Sequence, residues 1–188
     1  TLRERNWAAP PFDPSAIDAV VLTHAHLDHT GYLPLLVKRG FNGPVYCTDA
    51  TAELCRILLP DSARLQEEDA ERANRKRYTK HKPAQPLYDV RDAERALRQL
   101  TPKSFATEFS VTPDMRISFS PAGHILGAAT VALRAPGTSI AFSGDVGRPD
   151  DPVTRPPAPL DAADYIVIES TYGDRMHDRT DPHEGLGK

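Results

Sequence analysis

The stretch Thr23-His24-Ala25-His26-Leu27-Asp28-His29-Thr30 packs three histidines and a carboxylate into consecutive positions directly behind the apolar run Ala19-Val20-Val21-Leu22. Neutral imidazole and carboxylate are ligands that zinc prefers, at bond lengths of roughly 2.0 to 2.2 Å, so a group this dense reads as a metal site. The competing reading is a polar loop that happens to hold histidines. It accounts for one histidine well, but not for this spacing at the end of a buried-type strand.

Outward from the cluster, Gly31-Tyr32-Leu33-Pro34-Leu35-Leu36-Val37-Lys38-Arg39 has helix-like apolar spacing and stops at Gly40. The helix is expected to start just after Asp28 and His29, with Pro34 in its first turn. Gly43-Pro44-Val45-Tyr46-Cys47-Thr48 reads as a second strand, and Asp49 as the N-cap of a helix over 50–59. Residues 61–82 are strongly charged, and Arg72, Arg75, Lys76, Arg77, Lys80 and Lys82 form a basic stretch around Tyr78 and His81. A solvated helical face is its simpler explanation and a nucleic-acid contact the sharper one.

The spacing of Ala93, Ala96, Leu97 and Leu100 predicts an amphipathic helix over 90–100. From Phe105 the pattern changes to short strands at 105–110, 115–120, 128–133, 139–142 and 165–168, separated by turn residues such as Thr112-Pro113-Asp114 and Pro136-Gly137. The proline-rich stretch 149–159 is a connecting loop, because neither strand nor helix carries that many prolines. Strand-helix units followed by a run of strands place the chain in the α/β class with mixed sheets.

The 188 residues are 39% hydrophobic, which is enough for one ordinary domain, and no run approaches transmembrane length. The first residue is Thr, and a fragment of a longer protein is expected. A net charge of −3 offers nucleic acid no uniform attraction, so any polyanion site must be local. Cys47 and Cys55 do not make a disulfide framework; they read as buried thiols of a reducing compartment, the cytoplasm.

Three later stretches share one form, an apolar strand ending in polar residues, two of them beside glycine: Ser120-Pro121-Ala122-Gly123-His124, Ala141-Phe142-Ser143-Gly144-Asp145 and Ile166-Val167-Ile168-Glu169-Ser170. Glycine lets backbone approach an ion and permits the turn that aims the next side chain. Singly, His124 reads as a loop histidine, Asp145 as a turn residue and Glu169 as a strand-end carboxylate. Together with the opening cluster they supply enough imidazole and carboxylate for two adjacent metals, Asp145 being able to bridge with its two oxygens.

His24-Ala25-His26-Leu27-Asp28-His29 resembles the H-x-H-x-D-H signature of the metallo-β-lactamase fold, with His124 and Asp145 similar to that fold's following ligand motifs. Glu169-Ser170-Thr171-Tyr172-Gly173 resembles the motif that opens the β-CASP cap of nucleic-acid-processing members, among them the endonuclease subunit of the cleavage-and-polyadenylation complex and its bacterial and archaeal relatives. The resemblance runs from about Ile17 to Arg175. It implies an αβ/βα sandwich truncated at both ends, with residues 1–174 a partial core carrying a charged helical insertion at about 61–100, and 175–188 the start of the cap.

Carried over by motif, the resemblance implies that His24, His26 and His124 hold one zinc and Asp28 and His29 a second, with Asp145 between them. Asp28, Asp145 and Glu169 are the expected catalytic carboxylates, Glu169 orienting a histidine supplied later in the cap. Glu rather than Asp at that position points to RNA ahead of DNA as substrate, with no membrane partner and a homodimer as the candidate assembly. Two zinc ions about 4 Å apart would lower the pKa of a bridging water and clamp the phosphate during in-line attack, leaving 5′-phosphate and 3′-hydroxyl ends. The family's late cap histidines are not matched: His177 and His183 lie too close to Glu169 and read as solvated. The isolated chain is therefore expected to bind zinc more weakly than a longer parent and to have little nuclease activity. The rival readings are a hydrolase of a small thioester, ester or lactam, and a non-catalytic scaffold subunit of an RNA-processing complex.

Overall fold

The computed structural model describes residues 6–80 and 82–174. After a short 3-10 turn at Pro14–Ala16, β1 (Val20–Val21) leads into a one-turn helix α1 (Leu27–Thr30) and then α2 (Leu33–Lys38). β2 (Val45–Cys47) is followed by the long helix α3 (Asp49–Lys76), then α4 (Val90–Leu97) and β3 (Leu100–Pro102). The second half is strand: β4 (Phe109–Thr112), β5 (Met115–Pro121), β6 (Ala129–Ala135), β7 (Thr138–Phe142) and β8 (Tyr165–Val167).

β1, β2 and β3 form a parallel sheet in that order, with Val20 opposite Val45 and Val45 opposite Leu100. β4 to β7 form an antiparallel meander, and β8 adds parallel to β7 with Ala141 opposite Ile166. The alternation of side chains along β1 and β2 joins the layers. Val20, Val45 and Cys47 pack with helix residues Leu35, Cys55, Leu59 and Ala93, whereas Val21 and Tyr46 face Phe119 and Val131 of the second sheet. The layers therefore run helices, parallel sheet, mixed sheet, and the α/β expectation with mixed sheets holds.

Several boundaries differ from those read in the sequence. Asp28 and His29 lie inside α1 rather than ahead of a single helix, because the chain makes a separate turn before Pro34 restarts it in the first turn of α2. Thr48, not Asp49, caps α3: its hydroxyl accepts from Thr51 N–H. α3 also runs through Pro60 to Lys76 instead of ending at 59. Cys55, Leu59 and Ala63 are fully buried on one stripe on either side of the proline, and that packing outweighs the lost backbone hydrogen bond. Leu100 belongs to a strand, since the last helical residue is Leu97 and Val45 N–H is satisfied by Gln99 C=O. Cys47 and Cys55 are buried free thiols, and burial foremost pushes their pKa values up to about 12 and about 11. No helix among the described residues is long and apolar enough to cross a membrane.

Candidate metal centre

Four chain segments meet at one end of the two sheets. β1 is followed by buried Leu22, and Thr23 C=O accepts from Ala129 N–H at 2.8 Å, which stitches the first sheet to β6. The chain then folds into α1, where the Thr30 hydroxyl donates to Ala25 C=O at 3.2 Å and His26 C=O at 3.0 Å and closes the histidine loop on itself. His124 sits in the β5–β6 connection. That loop is pinned by Gly127, whose carbonyl accepts from Thr48 Oγ1 at 2.6 Å and Thr51 Oγ1 at 3.0 Å at the start of α3. Gly127 has φ +78°, and a Cβ there would lie 2.5 Å from Thr51 N, so both conformation and space require glycine. Asp145 follows β7, and Glu169 follows β8, the strand parallel to it, so both carboxylates emerge from the same strand ends.

His24, His26, His124 and Asp145 each present one ligand atom, all within 4.8 Å of one another. His24 Nε2 is 3.1 Å from His26 Nδ1, and His124 Nε2 is also 3.1 Å from His26 Nδ1. Asp145 Oδ2 is 3.6 Å from His24 Nε2 and 3.5 Å from His124 Nε2. Metal bonds of roughly 2.0 to 2.1 Å in a tetrahedron would separate ligand atoms by about 3.3 Å, close to these four spacings. The second oxygen, Asp145 Oδ1, faces the other way and lies 3.3 Å from His29 Nε2, which is in turn 3.5 Å from Asp28 Oδ2. Asp28 stands furthest out, with its side chain 78% exposed.

Electrostatics agree with a ligand set. His24 is 1% exposed, and its pKa is lowered to about 4, by burial first and next by His29, with Asp145 opposing. Its imidazole is therefore neutral at physiological pH, the form that coordinates a metal. Thr23 Oγ1 lies 3.1 Å from His24 Nδ1 and orients the ring from behind. Glu169 does not join the cluster: its Oε1 accepts from Val146 N–H at 2.8 Å, and its own N–H donates to Ser143 Oγ at 3.0 Å. The bond from Val146 N–H is the main cause of a pKa below the usual carboxylate range, so Glu169 is an anion bracing the loop that carries Asp145.

Sequence reasoning missed Gly147. A Cβ at that position would stand 1.7 Å from Gly123 O and 2.7 Å from His124 N, and Gly147 N–H donates to Ala122 C=O at 2.8 Å. The loops bearing His124 and Asp145 are in backbone contact there. The signal was the glycine two positions after Asp145, in Gly144-Asp145-Val146-Gly147. His177 and His183, read as solvated cap residues, lie outside the described residues.

A family model described as a beta-lactamase superfamily domain matches residues 1–185. The chain is similar to Ribonuclease TTHA0252 of Thermus thermophilus, 38% identical over 173 residues that cover 92% of this chain and 36% of that protein. It is similar to the transcription termination factor FttA of Methanococcus maripaludis, at 32% identity over 89% of this chain and 25% of that protein. It is also similar to an RNase J-like protein of Methanocaldococcus jannaschii, at 31% identity over 87% of this chain and 34% of that protein. The chain thus spans about a quarter to a third of the length of these curated relatives.

Proposed function

The chain belongs to the beta-lactamase superfamily, and from that membership we propose that it is the metal-binding core of a zinc-dependent, β-CASP-type ribonuclease. In this reading His24, His26, His124 and Asp145 would hold one ion, and Asp28, His29 and Asp145 a second. The observation that carries it is the orientation of Asp145, one oxygen facing His24 and His124 and the other facing His29. A carboxylate so placed has an oxygen to offer on each side. Relatives named as ribonucleases support RNA as the substrate, as does the Glu169-Ser170-Thr171-Tyr172-Gly173 motif. Buried free thiols at Cys47 and Cys55 favour the cytoplasm.

Bound zinc would supply the Lewis acidity that acidifies a water and offsets charge on a phosphodiester. The chain's own residues hold the geometry. Burial keeps His24 neutral, and Thr23 fixes the direction of its ring. Glu169 and Ser143 brace the turn that aims Asp145, while Asp28 stands on the open side where substrate arrives. In this reading Glu169 would also orient a cap histidine.

The test is cleavage of an end-labelled RNA by the whole gene product that contains these 188 residues, supplied with zinc. Cleavage leaving 5′-phosphate and 3′-hydroxyl ends, and lost in Asp145→Asn, is the expected result. Hydrolysis of a chromogenic lactam or a thioester with RNA untouched would assign a small-molecule hydrolase instead. RNA binding by a well-folded protein that takes up no zinc would assign a scaffold.

A further inference from the structure

The basic stretch singled out in the sequence is not part of the metal centre. It occupies the far end of α3. That helix starts beside the His124 loop, where Thr48 and Thr51 hold Gly127 C=O, and its 28 residues carry the chain about 42 Å along its axis at roughly 1.5 Å per residue. Charge is sorted along it. Asp61, Glu67, Glu68, Asp69 and Glu71 precede Arg72, and no acidic residue follows until Asp89. Arg64 and Arg72 are matched to Asp61 and Asp69, but among the described residues Arg75, Lys76, Arg77, Lys80 and Lys82 have no ion-pair partner.

The helix macrodipole accounts for cations in the last turn, Arg75 and Lys76. It does not account for Arg77, Lys80 and Lys82, which lie beyond the helix end. Arg77 ends α3 in a left-handed conformation, with φ 54°. Asn74 then ties the returning chain to the helix by two bonds, donating to Ala84 C=O at 2.9 Å and accepting from Ala84 N–H at 2.7 Å. Between them lies a cleft lined by Ala73, Asn74, Arg77, Thr79, Lys82 and Pro83, and Tyr78 beside it is 64% exposed. Cations with no ion-pair partner and an exposed aromatic ring on a tied loop are the combination that grips a phosphate backbone and stacks a base.

We propose that Arg75, Lys76, Arg77, Tyr78, Lys80 and Lys82, at and just beyond the end of α3, form a remote anchor for the backbone of the single-stranded RNA whose scissile bond is taken at the metal centre. This rests on the ribonuclease reading for the identity of the strand. At about 3.4 Å per stacked nucleotide, a strand held at both ends of a span of that length needs on the order of a dozen nucleotides, and the acidic row ahead of Arg72 keeps the strand off the helix surface between them. The anchor therefore selects long substrates.

The test is equilibrium binding, read by fluorescence anisotropy, of a labelled single-stranded RNA of about 24 nucleotides to the full chain over a salt series. The wild type is compared with a variant carrying Arg75→Gln, Lys76→Gln, Arg77→Gln, Lys80→Gln and Lys82→Gln. A second variant, Arg75→Lys with Arg77→Lys, keeps the charge, and thermal melting of both checks that the fold is kept. The neutralised variant should bind on the order of ten-fold more weakly, with a log K against log salt slope shallower by about 3.5 if all five cations contact phosphate, at about 0.7 per contact. The lysine variant should keep the wild-type slope. Unchanged affinity and slope in the neutralised variant would overturn the anchor, and equally tight binding of a polyglutamate probe would assign the tip to an acidic protein instead. Because binding is read apart from cleavage, loss of affinity in a chain that cuts no RNA would keep the anchor and remove the ribonuclease reading. Undiminished binding beside active cleavage would do the reverse.

Discussion

Gly147 has no side chain to contribute, yet it sets how closely the His124 and Asp145 loops approach, since any Cβ there would strike Gly123 O. Gly147→Ala must push the two loops apart and open the spacing between His124 Nε2 and Asp145 Oδ2. The expected outcome is a zinc affinity lower by about ten- to a hundred-fold, the usual cost of disturbing what supports a ligand, measured by competition with a chelating dye. Equal affinity would mean that the loops are not locked by this contact. At this scale the cluster was legible, because His24, His26, Asp28 and His29 fall within six positions and their side-chain chemistry is local. Gly147 and Thr23 were not, because one acts through a backbone approach between distant segments and the other through the orientation of a ring.

Helices show where sequence reading stops for a different reason. Pro60 is a valid stop signal, and α3 ignores it because Leu59 and Ala63 are clamped in the core. Burial is decided by the partner surface, which local sequence does not state. α4 was legible in outline, but its anchor was not. Asp92 is 2% exposed and closes a capping box with Asp89, and it also receives Lys38 Nζ of α2 at 2.9 Å and the guanidinium of Arg95. Burial alone would raise its pKa, but Lys38, the backbone N–H of Asp89 and Arg95 outweigh it and hold the carboxyl below its ordinary value of 3.8. A depressed carboxylate contributes stability that is fully present above the unfolded-state pKa and is lost as pH falls through the folded-state value. Asp92→Asn should therefore cost about 1 to 2 kcal/mol at neutral pH, less than a fully buried pair would because both cations are partly exposed, and should flatten the acid side of the stability profile. Urea unfolding between about pH 3 and 7 checks this, and parallel curves for the two proteins would refute it.

In the whole molecule, the site is a property of two sheets meeting. The parallel sheet brings His24, His26, Asp28 and His29 from the end of β1, and the mixed sheet brings His124 and Asp145 from β5–β6 and β7. Ala129 N–H on Thr23 C=O fastens the two halves next to the ligands. The α/β class and the grouping of His24, His26, His124 and Asp145 could be read from residue order; the layering could not, because it depends on which face of β1 and β2 meets Phe119 and Val131. The account stands on one claim, that Asp145 joins two metal positions. Zinc bound per molecule of the whole gene product, measured by inductively coupled plasma mass spectrometry after the metal-free protein is reconstituted and excess metal removed, tests it most directly. Two ions per wild-type chain, with both weakened together in Asp145→Asn, is the predicted result. A folded chain that holds no zinc, or one in which Asp145→Asn leaves both ions in place, would contradict it.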